Sequence, residues 1–170
     1  MKYQIDKLTP KDWGQIIRIY LEGIKTGNAT FEVEVPGFRK WDRSHIPNCR
    51  IVARYNDVIL GYAVLSPVSS RCVYRGVAEV SIYIGEEYRR KGVGKQLLEK
   101  LISLSESKGY WTLQAGIFPE NIASIKLHKK CGFREVGRRE KIGKMKDGRW
   151  RDVILMERRS KITGTYIISS

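Results

Sequence analysis

The 170-residue sequence predicts an α/β sandwich whose first half is mostly antiparallel and which contains one β-α-β crossover. Three observations carry that prediction. Runs rich in β-branched residues, several with period-two alternation, mark strands. Apolar residues at i, i+3, i+4 spacing mark helices. The clearest helix, 92–108, lies between two strand-like runs, and a helical crossover of that kind joins parallel strands.

Each element has a local reason. Residues 3–8 alternate and read as a strand. Thr9 then caps a helix, with Pro10 in its first turn, where a missing N–H costs nothing. Trp13, Ile16, Ile17, Tyr20, Leu21 and Ile24 form that helix's apolar face. Residues 36–44 read as a short second helix. The runs 50–55 and 58–65 flank Asn56-Asp57, a hairpin signal. Residues 73–84 read as one long strand. In helix 92–108, Val93, Leu97, Leu98, Leu101, Ile102 and Ser105 share a face. Residues 111–118 form a strand, and 121–130 a helix closed by Gly132. Residues 133–142 and 149–157 are strands around Lys146-Asp147-Gly148. The length suits one domain, assigned to 1–157. Residues 158–170 are left as a tail or an added edge strand.

Composition narrows the function. At 42% hydrophobic residues the chain is no disordered polymer. No apolar run approaches the length of a membrane span. The alternating N-terminus lacks a signal-peptide core, so a cytoplasmic location is expected. Three Cys and two His give no Cys-x-x-Cys pair, so neither a disulfide framework nor a metal site is expected. The net charge is +14, with 20 basic and 10 acidic side chains in residues 86–170. Such a bias attracts anions: nucleic acid, an acidic membrane face or a phosphorylated small molecule. Nucleic-acid binding calls for aromatic residues interleaved with basic ones, and the basic stretch 138–151 offers only Trp150.

The most informative stretch is Arg89-Arg90-Lys91-Gly92-Val93-Gly94-Lys95, between a strand and the strong helix. Free amides at a helix start, with glycines allowing close approach, make a phosphate site. It is no Walker loop, because Arg89 holds the first glycine position and Gln96 the Ser/Thr position. It is no dinucleotide fingerprint, because Leu97 holds the third glycine position.

This stretch resembles the [Gln/Arg]-x-x-Gly-x-[Gly/Ala] signature of the GNAT N-acetyltransferases. Asn121 through Phe133 resembles the same family's Asn-x-x-[Ala/Ser]…Gly-Phe block, and the resemblance spans residues 2–157. Thr30-Phe31-Glu32, residues 78–84 and residues 148–153 resemble the branch that acetylates phosphinothricin, methionine sulfone and methionine sulfoximine. The resemblance implies a three-layer α/β/α sandwich around a mixed, mostly antiparallel sheet. It implies acetyl-CoA as co-substrate, no metal, a small amine acceptor and a homodimer.

Roles follow residue by residue. The Arg89–Lys95 turn would hold the donor's pyrophosphate, and Ile82, Tyr83 and Ile84 would pair with its pantetheine arm. Asn121 and Ser124 would touch the donor, and Lys126 and Lys130 its nucleotide phosphates. Glu79 is the general-base candidate. His128 is either a proton donor to the leaving thiolate or a packed helical histidine. The family often has Tyr there, and the branch often His. Arg71 and Arg75 are candidates for the acceptor's acidic group; Arg75, four residues before Glu79, would share its strand face. Phe31 would wall the pocket. Cys131 is rejected as a nucleophile. The alternative acceptors are a protein N-terminus or a polyamine, and the non-enzyme alternative is a nucleic-acid-binding domain.

Overall fold

The computed structural model describes residues 2–165. Its elements, in chain order, are β1 (Gln4–Lys7), α1 (Trp13–Lys25), α2 (Phe38–Ser44), β2 (Arg50–Tyr55), β3 (Val58–Pro67), β4 (Val77–Ile84), α3 (Val93–Ser107), β5 (Thr112–Ile117), α4 (Ile122–Lys130), β6 (Arg134–Lys144) and β7 (Trp150–Arg159). All seven strands join one sheet, ordered β1-β2-β3-β4-β5-β7-β6. Every neighbouring pair is antiparallel except β4 and β5. The α3 crossover makes that pair parallel, as the sequence predicts.

Two apolar layers make the sandwich. Ile16 and Ile19 of α1 and Trp41 of α2 pack on Val52, Tyr62 and Val64. On the opposite face Leu97, Leu98 and Leu101 of α3 pack on Ala63, Leu65 and Val80. Strand alternation divides the sheet's side chains between the layers.

Boundaries shift where non-local packing overrides local pattern. Pro10–Asp12 form a 3₁₀ turn before α1, and the Thr9 N–H and hydroxyl donate to the Asp12 carboxylate at 2.8 and 3.1 Å. The expected 73–84 strand begins only at Val77, because Cys72–Tyr74 form a 3₁₀ turn. Gly76 explains it: a Cβ there would lie 2.1 Å from Cε3 of Trp111. Its carbonyl accepts from the Trp111 and Thr112 amides at 2.8 and 3.1 Å. The backbone is thus pressed onto an indole 35 residues away. Gly76→Ala should cost about 1–3 kcal/mol through overpacking, read as a lower urea midpoint.

The first part of the tail folds back. The Ser160 hydroxyl donates to Glu106 at 2.8 Å, and Thr163 donates to the Glu106 carbonyl at 3.0 Å. Residues 160–165 form no strand; residues 166–170, where an added edge strand is also expected, lie outside the described residues.

Candidate active site

The site begins where the sheet forks. β4 and β5 pair only over Val77–Thr112, Ala78–Leu113 and Glu79–Gln114. Beyond that rung the strands part, and the gap is a cavity of about 290 Å³. Ser81 and Tyr83 line one side of it, Gly116 and Phe118 the other. Glu79 stands at the apex, half-buried, accepting a hydrogen bond from Gln114 Nε2 at 3.0 Å. A carboxylate held at the head of an open cleft can take a proton from an amine bound there.

The donor-facing end is the start of α3. Gly92 has φ +83° and Arg90 φ +60°. The first helical bond runs from the Gln96 amide to the Gly92 carbonyl at 3.3 Å. The backbone amides of residues 90–95 donate to no acceptor among the described residues. Six free N–H groups at a helix's positive end suit a pyrophosphate. Gly94 lets this turn close on α4, since a Cβ there would come 3.2 Å from Leu127 and 3.6 Å from Ile84. Arg89 Nε donates to the Ile84 carbonyl at 3.2 Å, fixing the turn to the end of β4.

The structure gathers most of the sequence-derived residues. Phe31, Glu79, Ile82, Tyr83, Asn121 and Ser124 all line the fork. Ile84, at the end of β4, meets Gly94 of the α3 turn. Asn121 is doubly used: its Oδ1 caps α4 at the Ser124 amide (3.2 Å), and its Nδ2 donates to the Asn28 carbonyl (3.1 Å). Lys126 and Lys130 project from the exposed side of α4.

Three candidates stand apart. His128 is 2% exposed, and its Nδ1–H donates to the Ser124 carbonyl at 2.8 Å. Its Nε2 is buried without a partner among the described residues. Burial lowers its pKa, so the ring is neutral and its one proton is committed to a backbone carbonyl. Arg71 and Arg75 do not line the fork. Arg71 lies over Tyr74 at 5.6 Å and Arg75 over Trp111 at 5.9 Å. The 3₁₀ turn removes Arg75 from β4, so the shared-face argument fails for it.

Sequence reasoning missed a clamp. Arg151 is nearly buried, and its guanidinium donates to Gly27 O (2.9 Å), Asn28 Oδ1 (3.0 Å) and Glu120 Oε2 (3.2 Å). It also lies 3.8 Å over the Phe118 ring. Phe118 in turn meets Phe31 edge-on at 4.8 Å, and Gly143 leaves room for Phe31. The loop before α2 is thereby pinned across the fork. The available signal was parity: Arg151 lies two residues before Val153 on β7 and shares its strand face, and Val153 lines the fork.

Among the described residues no cluster of three His, Cys, Asp or Glu side chains could hold a metal ion, and no helix is long and apolar enough to cross a membrane.

Comparison with known proteins agrees with this geometry. The model of the acetyltransferase (GNAT) family matches residues 13–133. A phosphinothricin N-acetyltransferase of Alcaligenes faecalis is 35% identical over 154 residues, covering 86% of this chain and 77% of the relative. An L-methionine sulfoximine/L-methionine sulfone acetyltransferase of Salmonella typhimurium is 35% identical over 107 residues, 63% of this chain and 62% of that one. The crystal structure of a GNAT superfamily phosphinothricin acetyltransferase from Sinorhizobium meliloti, in complex with acetyl-CoA, superposes with TM-score 0.85 at 30% identity, covering 100% of this chain and 95% of that one. The chain therefore belongs to the GNAT acetyltransferase family as an acetyl-CoA-dependent N-acetyltransferase.

Proposed function

We propose that the chain transfers acetyl directly from acetyl-CoA to the α-amine of a small amino-acid analogue of the phosphinothricin or methionine sulfone type. The observation that carries this reading is the Glu79 carboxylate at the apex of the fork, hydrogen-bonded by Gln114 and open to the cavity. The names of the relatives supply the acceptor class. Glu79 accepts a proton from the ammonium, directly or through water. The freed amine attacks the thioester carbonyl, the C–S bond breaks, and the second proton lost by the attacking nitrogen passes to the leaving thiolate, giving the amide and free CoA thiol.

The donor lies with its pyrophosphate on the amides of residues 90–95 and its pantetheine along the free edge of β4 at residues 82–84. Asn121 and Ser124 flank the thioester. Direct transfer needs no acyl-enzyme, and Cys131 is a poor nucleophile because burial raises its thiol pKa. His128 serves by packing, holding the first turns of α4 through Ser124. Among the described residues no arginine lines the fork of one chain, and the exposed Arg71 and Arg75 are the proposed partners of an acidic acceptor group, reaching it from outside that fork. Residues 1–157 act as one catalytic domain in the cytoplasm, as a homodimer that uses small molecules rather than nucleic acid. β6, an edge strand exposed along almost all its length, supports the dimer.

A free-thiol release assay tests the reading. The panel holds acetyl-CoA with phosphinothricin, methionine sulfone, methionine sulfoximine, ordinary amino acids, spermidine and a Met-starting peptide. Turnover concentrated on the first three is expected. Turnover only on spermidine or peptide would overturn the acceptor assignment.

A further inference from the structure

A second cavity, of about 450 Å³, adjoins the fork on the face of β4 that carries Glu79. Alternation puts Glu79, Ser81 and Tyr83 in one row. Opposite them on β3 stand Ser66, Val64 and Tyr62. Ser81 and Tyr83 border both cavities, as do Thr30 and Glu32. The two spaces are therefore continuous along one strand. The row from Glu79 to Tyr83 spans about 13 Å at the usual strand rise. The opposite face of β4 serves the donor side, where Ile84 meets Gly94 of the α3 turn.

The walls of this second cavity differ in kind from those of the fork. Tyr20, Pro36, Trp41, Tyr62, Val64 and Tyr83 give it an aromatic and apolar surface. Tyr62 and Tyr83 stack at 5.5 Å between centroids, and Tyr20 meets Tyr83 edge-on at 5.0 Å. The floor carries no charge. Burial raises the pKa of Tyr62 and Tyr83, so both phenols stay protonated. His45 is kept neutral by burial, with Nδ1–H donating to the Trp41 carbonyl at 2.7 Å. Its charged groups, Glu32, Glu34 and Lys40, are exposed and stand at the rim, where Glu34 pairs with Lys146 at 2.8 Å. Such a lining favours an aromatic ring, which gains from edge-to-face and offset contacts. A short acidic side chain gains little from it.

We propose that this cavity receives the side chain of an aromatic acceptor, and that the chain acetylates α-amines carrying such a side chain as well as the small analogues, whose shorter side chains stay at the fork. The proposal rests on acetyl transfer to an α-amine beside Glu79. The amine lies at the fork, and the side chain runs past Ser81 to the Tyr62–Tyr83 pair.

The test compares kcat/KM for phenylalanine and tryptophan with that for methionine sulfone, in wild type and in two filling variants. Val64→Phe fills the floor. Val35→Trp fills the loop wall, and guards against a folding defect in the buried strand. Wild type should turn over the aromatic acceptors. Each variant should cut that activity about tenfold or more, the scale of a steric change in an apolar pocket. Methionine sulfone turnover and the acetyl-CoA KM should stay within about threefold, less than the effect of one methylene in such a pocket. Turnover of methionine sulfone without turnover of either aromatic acceptor overturns the proposal alone. So does a folded variant that leaves both classes unchanged or lowers them in equal proportion. No turnover on any α-amine overturns the acceptor reading and this proposal with it.

Discussion

Glu79→Gln is expected to lower turnover at pH 7 by about 10²–10⁴-fold, the usual contribution of a general acid or base. Acetyl-CoA affinity should hardly move. The substitution keeps the shape of the side chain, so the rung with Gln114 (3.0 Å,) can be rebuilt with an amide oxygen as acceptor. What is lost is the ability to take the ammonium proton. An amino acid's amine is mostly protonated at neutral pH, and only the free base attacks the thioester. Raising the pH supplies free amine without help, so the defect should shrink as pH rises. Single-turnover kinetics across pH 6.5–9.5, beside calorimetric binding of acetyl-CoA, would show both effects. A variant within about twofold of wild type at pH 7, far short of a base's ordinary contribution, would remove Glu79 from the mechanism.

Gly92→Val should act at the other end of the cleft, raising the Kd for acetyl-CoA about tenfold or more with little change in fold stability elsewhere. A Cβ at Gly92 meets nothing within 4 Å, so the penalty is conformational, not steric crowding. Gly92 has φ +83°, which costs a β-branched residue about 1–2 kcal/mol or more. Relaxing φ to a negative value would swing the amides of residues 90–95 out of alignment. Each 1.4 kcal/mol of lost contact is tenfold in affinity. Titration calorimetry with acetyl-CoA, and with CoA to isolate the pyrophosphate grip, measures it directly. Unchanged affinity would place the pyrophosphate elsewhere.

Much of this architecture is legible in local pattern. The α3 apolar face, the Gly-Val-Gly helix start and the glycine that closes α4 follow from periodicity and capping chemistry, and the structure has all three in place. The failures share one cause: they depend on residues far apart in sequence. Val73 and Tyr74 read as strand, but Trp111 presses on Gly76 and forces a turn before β4. Arg75 consequently stacks on that indole instead of sharing a face with Glu79. Arg151 looks like one more basic residue in a basic hairpin, yet it bonds the 27–28 loop more than 120 positions away. The same holds for His128, whose pKa is lowered by burial beside Phe133 against the opposing pull of the Ser124 carbonyl. Its helical position says nothing of that.

The free amides of residues 90–95 bear on how such a catalyst survives its own cargo. In the proposed reading, the chain works beside a reactive thioester and carries 32 Lys and Arg side chains. Lysine amines are themselves acetyl acceptors, and each stray modification removes a positive charge. A grip built from lysines would erode with use. Peptide N–H groups are not nucleophiles, so a grip built from the main chain at the start of α3 is inert to the compound it holds. Modification of Lys91 or Lys95 would then weaken only the long-range pull that brings the donor in.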